Sequence, residues 1–360
     1  MTRLFASAAP VFKVDGETRG ELARDVLRLE IEENTEGLKT LTLRLLAQGP
    51  RADSRAEGLL HIENSPIDFG KSLEVSIGRS GEDRVIFKGT ISALEAGFQE
   101  GSEPEVVVFA EDKLMALRMT RRCRTYNDVT DADIAQAIAR EHGLSAQAEA
   151  PGPTYDVVQQ WNQSDLAFLR DRARLLQAEV WFQDDALHFK TRGNRRAAEL
   201  TLVQGNQLIE ARLRADLAHQ RTSVAVSGYD AFQRESIHQP SGTDVLAEEV
   251  SEGRTGASIL QSAFGERASH RVRNVPLTST EADAWARAEL LRRGRRFVTV
   301  TGVTNGSPSM EVGSRLTLER VGRPFSGGGY YVTRVRHTYD LTHGHRTHFE
   351  AERPTVSEST

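Results

Sequence analysis

The chain has 360 residues, 38% of them apolar and 27% charged, with a formal net charge of −5. That is ample for a buried core and for two or three domains of an ordinary, slightly acidic globular protein. The charge excludes the dominant basic field of a nucleic-acid binder, and the single cysteine, Cys123, excludes an intrachain disulfide framework.

The N-terminal stretch MTRLFASAAPVFKVDG has no continuous apolar segment, so no signal peptide is expected, and no run reaches bilayer length. Cytosolic synthesis and assembly follow as the expectation. From Asp25 onward the pattern is β. In DVLRLEIEEN, Leu27, Leu29 and Ile31 alternate with Arg28, Glu30 and Glu32; in TLTLRLL, Leu41, Leu43 and Leu45 alternate with Thr42 and Arg44. A two-residue period predicts half-buried strands, and NTEG, Asn34 to Gly37, predicts the turn between them. SLEVSIG, RVIFKGTIS and EVVVFAED carry the pattern to about residue 112.

The middle third changes character. VTDADIAQAIAREHGL predicts a helix with Thr130 as N-cap, Asp133 three residues on, Ile134 and Ile138 on one face, and Gly143 as the stop. A second helix starts at Ser164, with Leu166, Leu169, Ala173 and Leu176 on one stripe. EVWFQDDALHFKTR then predicts two short strands meeting at Asp184-Asp185. The local basic run Arg121-Arg122-Cys123-Arg124 is flanked by acidic residues and reads as a solvated face or subunit contact. Cys123 lacks a nearby His or Asn partner and reads as an inert thiol.

Strands return in AELTLV, QLIEARLRA and RTSVAVSGYD. Residues 231–278 are polar, weakly periodic and read as a long excursion or loosely structured insertion. A helix follows in TEADAWARAELLRRG, with Thr280 capping, Asp283 at the third helical position, Arg292 and Arg293 in the last turn, and Gly294 beyond the end. Positive charge there suits the helix dipole. RFVTVTGV, SRLTLERV, GYYVTRVRHTYD and HRTHFEAER resume the two-residue period.

Three blocks recur in order at similar separations. Residues from Gly70 (GKSLEVSI) match those from Gly313 (GSRLTLER), VIFKGTIS matches YYVTRVRH, and VVFAED matches THFEAER. Shared order favours two copies of one small β-barrel with the helical unit inserted between them. The fold class expected is β-rich α+β. The divisions are a first barrel over residues 1–112, an inserted α+β subdomain over 113–196, a second barrel from 197–230 with 295–353, an insertion with loop and helix over 231–294, and a tail over 354–360.

DLTHGHRTHFEAERP places His343, His345 and His348 within six residues. In a hairpin returning near His343-Gly344, His345 shares a face with Thr347 and Phe349, whereas His348 points the other way. Zinc needs three or four converging ligands, so this spacing splits the cluster, although His337 could help across the strands. The Gly327-Gly328-Gly329 stretch leads into a strand and lacks the helix N-terminus of a phosphate loop. No nucleophile elbow surrounds Ser227. Tyr155, Trp161, Trp181 and Phe182 read as core or interface anchors. No catalytic residue, metal or cofactor is expected.

The middle block VVQQWNQSDLAFLRDRARLLQAEVWFQDDALHF resembles a segment of phage late control gene D proteins and VgrG proteins. Gln160, Asn162, Ser164, Asp165, Phe168 and Leu169 match its Q-x-N-x-S-D-x-x-F-L pattern, followed by the aromatics Trp181 and Phe182. The preceding YNDVTDADIAQAIAREHGL and the closing YYVTRVRHTYDLTHGHRTHFEAER are similar to further family motifs, so the likeness covers roughly residues 60–353. It implies a baseplate hub of a contractile tail or injection machine: a homotrimer whose two barrels per chain build a six-barrel ring around a channel. The partners implied are an inner tube protein, a spike protein and other baseplate components. VgrG chains continue into a spike, whereas this sequence stops at Thr360, so the spike is expected on another polypeptide. Two rival readings are a stand-alone carbohydrate- or surface-binding module and a metal-dependent hydrolase using the C-terminal histidines.

Overall fold

The computed structural model describes residues 9–50, 57–62, 65–78, 84–250, 252–271 and 275–357. The short strands β1 (Val11–Val14) and β2 (Glu17–Thr18) lead through α1 (Gly20–Asp25) into β3 (Val26–Asn34) and β4 (Thr40–Leu46). Leu41, Leu43 and Leu45 are buried while Arg44 faces out, as the two-residue period requires. The β3–β4 turn needs glycine at Gly37 on two counts. Its φ is +70°, and a Cβ there would lie 2.2 Å from the Val180 carbonyl. A side hairpin, β5 (Gln48–Pro50) and β6 (Glu57–Leu59), precedes β7 (Ser72–Ile77), β8 (Arg84–Gly97) and β9 (Glu105–Glu111).

The inserted unit holds β10 (Arg121–Val129), α2 (Asp131–Glu141), β11 (Ser145–Glu149), β12 (Tyr155–Ser164), α3 (Asp165–Leu176), β13 (Ala178–Gln183) and β14 (Ala186–Thr191). Thr130 and Asp133 form a reciprocal capping box on α2, and Ser164 caps α3. Asp184 and Asp185 both take left-handed backbone, the geometry of a two-residue hairpin turn. Ile134, Ile138, Leu166, Leu169 and Phe189 close one core with Trp285 of a later helix.

Next come β15 (Glu199–Val203), β16 (Leu208–Ala215), β17 (Ser223–Asp230), β18 (Glu235–Gly242), β19 (Arg254–Thr255), α4 (Gly256–Phe264), β20 (Ala268–Arg271) and α5 (Ser279–Arg295). The chain ends through β21 (Val298–Thr304), β22 (Arg315–Glu319), β23 (Gly327–Asp340), β24 (Gly344–Arg353) and β25 (Thr355–Val356).

Several expectations are corrected here. The 231–278 stretch is not a loose excursion in its described part: β18 and β20 flank β17 in a separate three-stranded sheet, and α4 is a regular helix. β17 therefore leaves the second strand group, to which residues 197–230 assigned it, because its hydrogen-bond partners are β18 and β20. The cap of α5 is Thr278, whose hydroxyl accepts from the Glu281 amide, not Thr280. Gly294 lies inside that helix, where a Cβ would come 2.5 Å from Leu246; close packing, not helix termination, explains it. Leu27 is 38% exposed because a bulge between Val26 and Arg28 turns it outward and gives Val26 the inner position.

Among the described residues a thirteen-stranded sheet forms, and its two ends repeat each other. β3, β4, β9, β8 and β7 lie side by side in one module; β16, β21, β24, β23 and β22 lie side by side in the other, paired in the same sequence. Registers coincide as well. Thr90 faces Glu111, Ile91 faces Ala110, Ser92 bulges, and Ala93 faces Phe109. Tyr331 faces Glu352, Val332 faces Ala351, Thr333 bulges, and Arg334 faces Glu350. A second bulge also repeats, at Leu27 in β3 and at Ile209 in β16. The three recurrent sequence blocks fall on these equivalent strands, but the registers make Thr90 the counterpart of Tyr331 and Glu111 that of Glu352, so VIFKGTIS and YYVTRVRH are out of step as aligned in the sequence. The modules differ at their flanks: β1 joins β7 antiparallel, whereas β15 joins β22 parallel.

Candidate functional site

The family-motif residues build a buried polar knot. Gln160 on β12 donates Nε2 to Asp165 at 2.9 Å and to the Gln163 carbonyl at 3.0 Å. Asp165, the first residue of α3, also meets His142 Nε2 at 2.8 Å and the Arg122 guanidinium at 3.2 Å. Asn162 takes left-handed backbone and its carbonyl accepts from Arg121 at 2.9 Å. Phe168 and Leu169 are core, with Phe168 stacked on Tyr126 at 5.9 Å. Trp181 stacks on His188 at 4.7 Å and carries the Arg195 guanidinium at 4.3 Å; Phe182 is half-buried beneath Lys113. Every motif residue has a structural partner. Of the four aromatics singled out, Trp161 alone is largely exposed, at 69%.

A second cluster lies where the inserted unit meets both modules. Arg195, just after β14, donates to Glu33 of β3 at 2.7 Å and to Glu179 of β13 at 3.1 Å. Lys39 lies 3.0 Å from the other Glu33 oxygen. Tyr331 of β23 donates its hydroxyl to Glu179 at 2.6 Å, and Arg192 pairs with Glu352 of β24 at 2.7 Å while stacking on Tyr331. Burial opposes ionisation of Glu33, but Lys39 and Arg195 outweigh it and hold its carboxyl below the usual range. Burial and Glu179 push the Tyr331 hydroxyl far up, so it remains a donor. Asp112, desolvated beside this cluster, is pushed up to about 7. This network fixes orientations; its strong pairings leave little for chemistry to use.

The histidines behave similarly. His337 and His345 are buried with rings sharing a hydrogen bond at 3.2 Å, and Thr347 completes the group. The Met310 carbonyl lies 3.1 Å from His337 Nε2 and can only accept, so that nitrogen carries the proton and Nδ1 accepts. Burial depresses His337 to about 3 and His345 to about 4, so both rings are neutral. His348 lies on the opposite face of β24, and His343 sits in the exposed turn. Among the described residues, no three His, Cys, Asp or Glu side chains converge in a metal-holding group.

The basic runs are largely spent within the chain. Arg292 and Arg293 bind Glu289 at 2.7 and 2.8 Å, Arg295 binds Glu249, and Arg124 binds Glu141. Arg292, Arg293 and Arg295 line a cleft of about 1120 Å³ whose lining mixes both signs of charge. Among the described residues no helix is long and apolar enough to cross a membrane.

Backbone remains unspent as well. The two modules join where β23 pairs antiparallel with β3, from Arg334 opposite Asn34 to Asp340 opposite Arg28. On the other flanks, the far half of β8 pairs with β9 on one edge and with no described strand on the other, and the outer edge of β16 pairs with no described strand. The sequence pattern identifies both strands but does not reveal open edges; the signal available was the repeat itself, once its junction is known.

Comparison with curated protein sequences finds no significant match. Among solved structures, the chain is similar to the 43 kDa tail protein of prophage MuSo2 from Shewanella oneidensis, with TM-score 0.70 and 14% identity over 97% of this chain and 99% of that one. It is also similar to the tail protein from Neisseria meningitidis MC58, with TM-score 0.66 and 13% identity over 96% of each chain. A third likeness is to the E. coli c3393 protein, described as a type VI secretion component resembling the T4 tail proteins gp27 and gp5. Its TM-score is 0.55 at 13% identity, over 93% of this chain and 76% of that one. The fold is thus one found in phage tail proteins. The family described as the Alg8 N-terminal domain matches residues 13–340, and the chain belongs to that family.

Proposed function

We propose that the protein is a structural baseplate hub of a phage-like tail or contractile injection system. Three copies close into a ring of six similar β-barrels around a channel, and the ring joins the inner tube on one face to a spike on the other. The observation that carries this reading is the repeat: two modules with one strand order, one register and the same two bulges. Three such chains present six near-equivalent seats, so a three-fold object can receive a six-fold tube without six separate chains. The buried network of Glu33, Arg195, Glu179 and Tyr331 supports it by tying both modules to the inserted unit. Likeness to tail proteins and a type VI component supports it at the level of fold. The role is packing and electrostatic complementarity, without turnover, cofactor or metal.

The test is co-expression with candidate tube and spike proteins, followed by native mass spectrometry. The expected species is three times 39.9 kDa, retaining both partners. A monomer at micromolar concentration that binds glycans points instead to a surface-binding module, and stoichiometric zinc surviving dialysis points to the hydrolase.

A further inference from the structure

We infer that the cleft between the inserted unit, the second module and α5 is a docking groove for an acidic segment of a partner protein. Arg170 and Arg174 reach it from α3, Arg271 from β20, and Arg292, Arg293 and Arg296 from the end of α5. Its volume of about 1120 Å³ exceeds the roughly 300–1,000 Å³ of small-molecule pockets, so it has room for several residues of an extended chain. The groove is complete within one chain, so its occupant does not depend on the hub reading.

The lining is opposite in charge to the chain as a whole. The sequence has 46 basic side chains against 51 acidic ones, whereas nine arginines and five glutamates line the cleft. Pairings within the chain do not balance that excess. Arg292 and Arg293 bind Glu289 at 2.7 and 2.8 Å, and Arg271 lies 3.8 Å from the same carboxylate, so three guanidiniums share one negative charge. Burial opposes ionisation of Glu289, yet those three arginines hold its carboxyl below the usual range. Arg170 donates to two backbone carbonyls, those of Glu36 at 2.7 Å and Gly37 at 3.1 Å, and so leaves its charge without a carboxylate. Burial, with Arg174 and Arg118 nearby, outweighs Glu36 and holds that guanidinium below its usual range. Arg296 is exposed and pairs with no described carboxylate. Guanidinium forks match carboxylates in bidentate pairs, a cleft of one sign concentrates the opposite charge, and arginine clusters are a recurring means of reading acidic segments. Single-stranded nucleic acid, the other polyanion, binds on aromatic platforms. Among the described residues the lining holds no Phe, Tyr or Trp, which favours the peptide.

The test is fluorescence anisotropy on the full chain, with a fluorescein-labelled octaglutamate peptide as the probe. Micromolar binding is expected in about 50 mM salt and its loss in about 500 mM, where such pairs are screened. Arg296→Glu is expected to weaken binding at least about fivefold, and Arg292→Gln with Arg296→Glu to weaken it further. Arg296 has no described partner to lose, so its variant is expected to keep the wild-type unfolding temperature. Arg287→Glu, exposed on the same helix but outside the cleft, is the matched control and is expected to leave binding unchanged. Absence of binding at low salt, or no difference between Arg296→Glu and Arg287→Glu, overturns the groove. An oligothymidylate that binds more tightly than the peptide assigns the cleft to nucleic acid. Inorganic phosphate that displaces the peptide at comparable concentration reduces the cleft to a simple anion site. Either of those two results overturns an acidic segment as the occupant.

Discussion

Arg195 donates to Glu33 at 2.7 Å across a sequence separation of 162 residues, and the same guanidinium reaches Glu179 in the inserted unit. One side chain thus ties β3 to β13 in the interior, where desolvating the charges is costly and their mutual attraction offsets that cost. Removing one partner is the severe change. Arg195→Met leaves two carboxylates buried with less compensation, and a loss of about 3–5 kcal/mol is expected. Denaturant titration checks it; a loss under about 1 kcal/mol, the range of an exposed pair, excludes a structural role for the network.

Gly37 and Gly16 separate two reasons for glycine. Both have positive φ, +70° and +82°, but a Cβ at Gly37 meets the Val180 carbonyl at 2.2 Å while one at Gly16 meets nothing within 4 Å. Gly16→Ala is expected to cost only the backbone penalty, about 1 kcal/mol. Gly37→Ala must in addition displace β13 from the first turn, and is expected to cost several times more. Equal losses in thermal unfolding remove the argument that this turn docks the inserted unit.

The His337–His345 pair makes a pH prediction. Both rings are depressed in the folded protein, to about 3 and about 4, from the ordinary 6.5. Unfolded chains therefore bind more protons below pH 6.5, and stability falls as the pH drops toward the folded values. Each ring contributes up to about 1.4 kcal/mol per pH unit in that window. Asp112, raised to about 7, acts with the opposite sign, since its stabilisation is lost as the pH rises toward 7. Comparing wild type with His337→Leu/His345→Leu cancels the Asp112 contribution. The variant is expected to lose less stability between pH 7 and pH 5; parallel profiles would falsify the assignment.

Much of this fold was legible in the sequence because its signals are local. The Leu41, Leu43, Leu45 alternation, the Thr130 and Ser164 caps and the Asp184-Asp185 turn each follow from a few neighbouring residues. Other features depend on partners far along the chain. RTSVAVSGYD marks a strand, but only β18 and β20, hidden in a polar stretch, decide which sheet it joins. Thr278 and Thr280 each have an acid three residues on, so spacing alone could not select the true cap. The motif Gln160 to Leu169 was legible as a pattern, while the Glu33–Arg195–Glu179 network left no local trace.

Asp165 decides what that motif is for. Its carboxylate holds Gln160, His142 and Arg122 together beneath α3, with almost no exposure. If the motif only shapes the inserted unit, Asp165→Asn removes the charge those donors converge on and destabilises that unit locally, by about 1–3 kcal/mol. The main sheet has its own cores and is expected to keep its protection. Hydrogen exchange reads both at once: faster exchange in β10, β12 and α3, with unchanged exchange in β4, β9 and β24. Loss of assembly with unaltered exchange would mean that the motif faces a partner, because a group that merely supports its own unit cannot weaken binding without first loosening the elements around it.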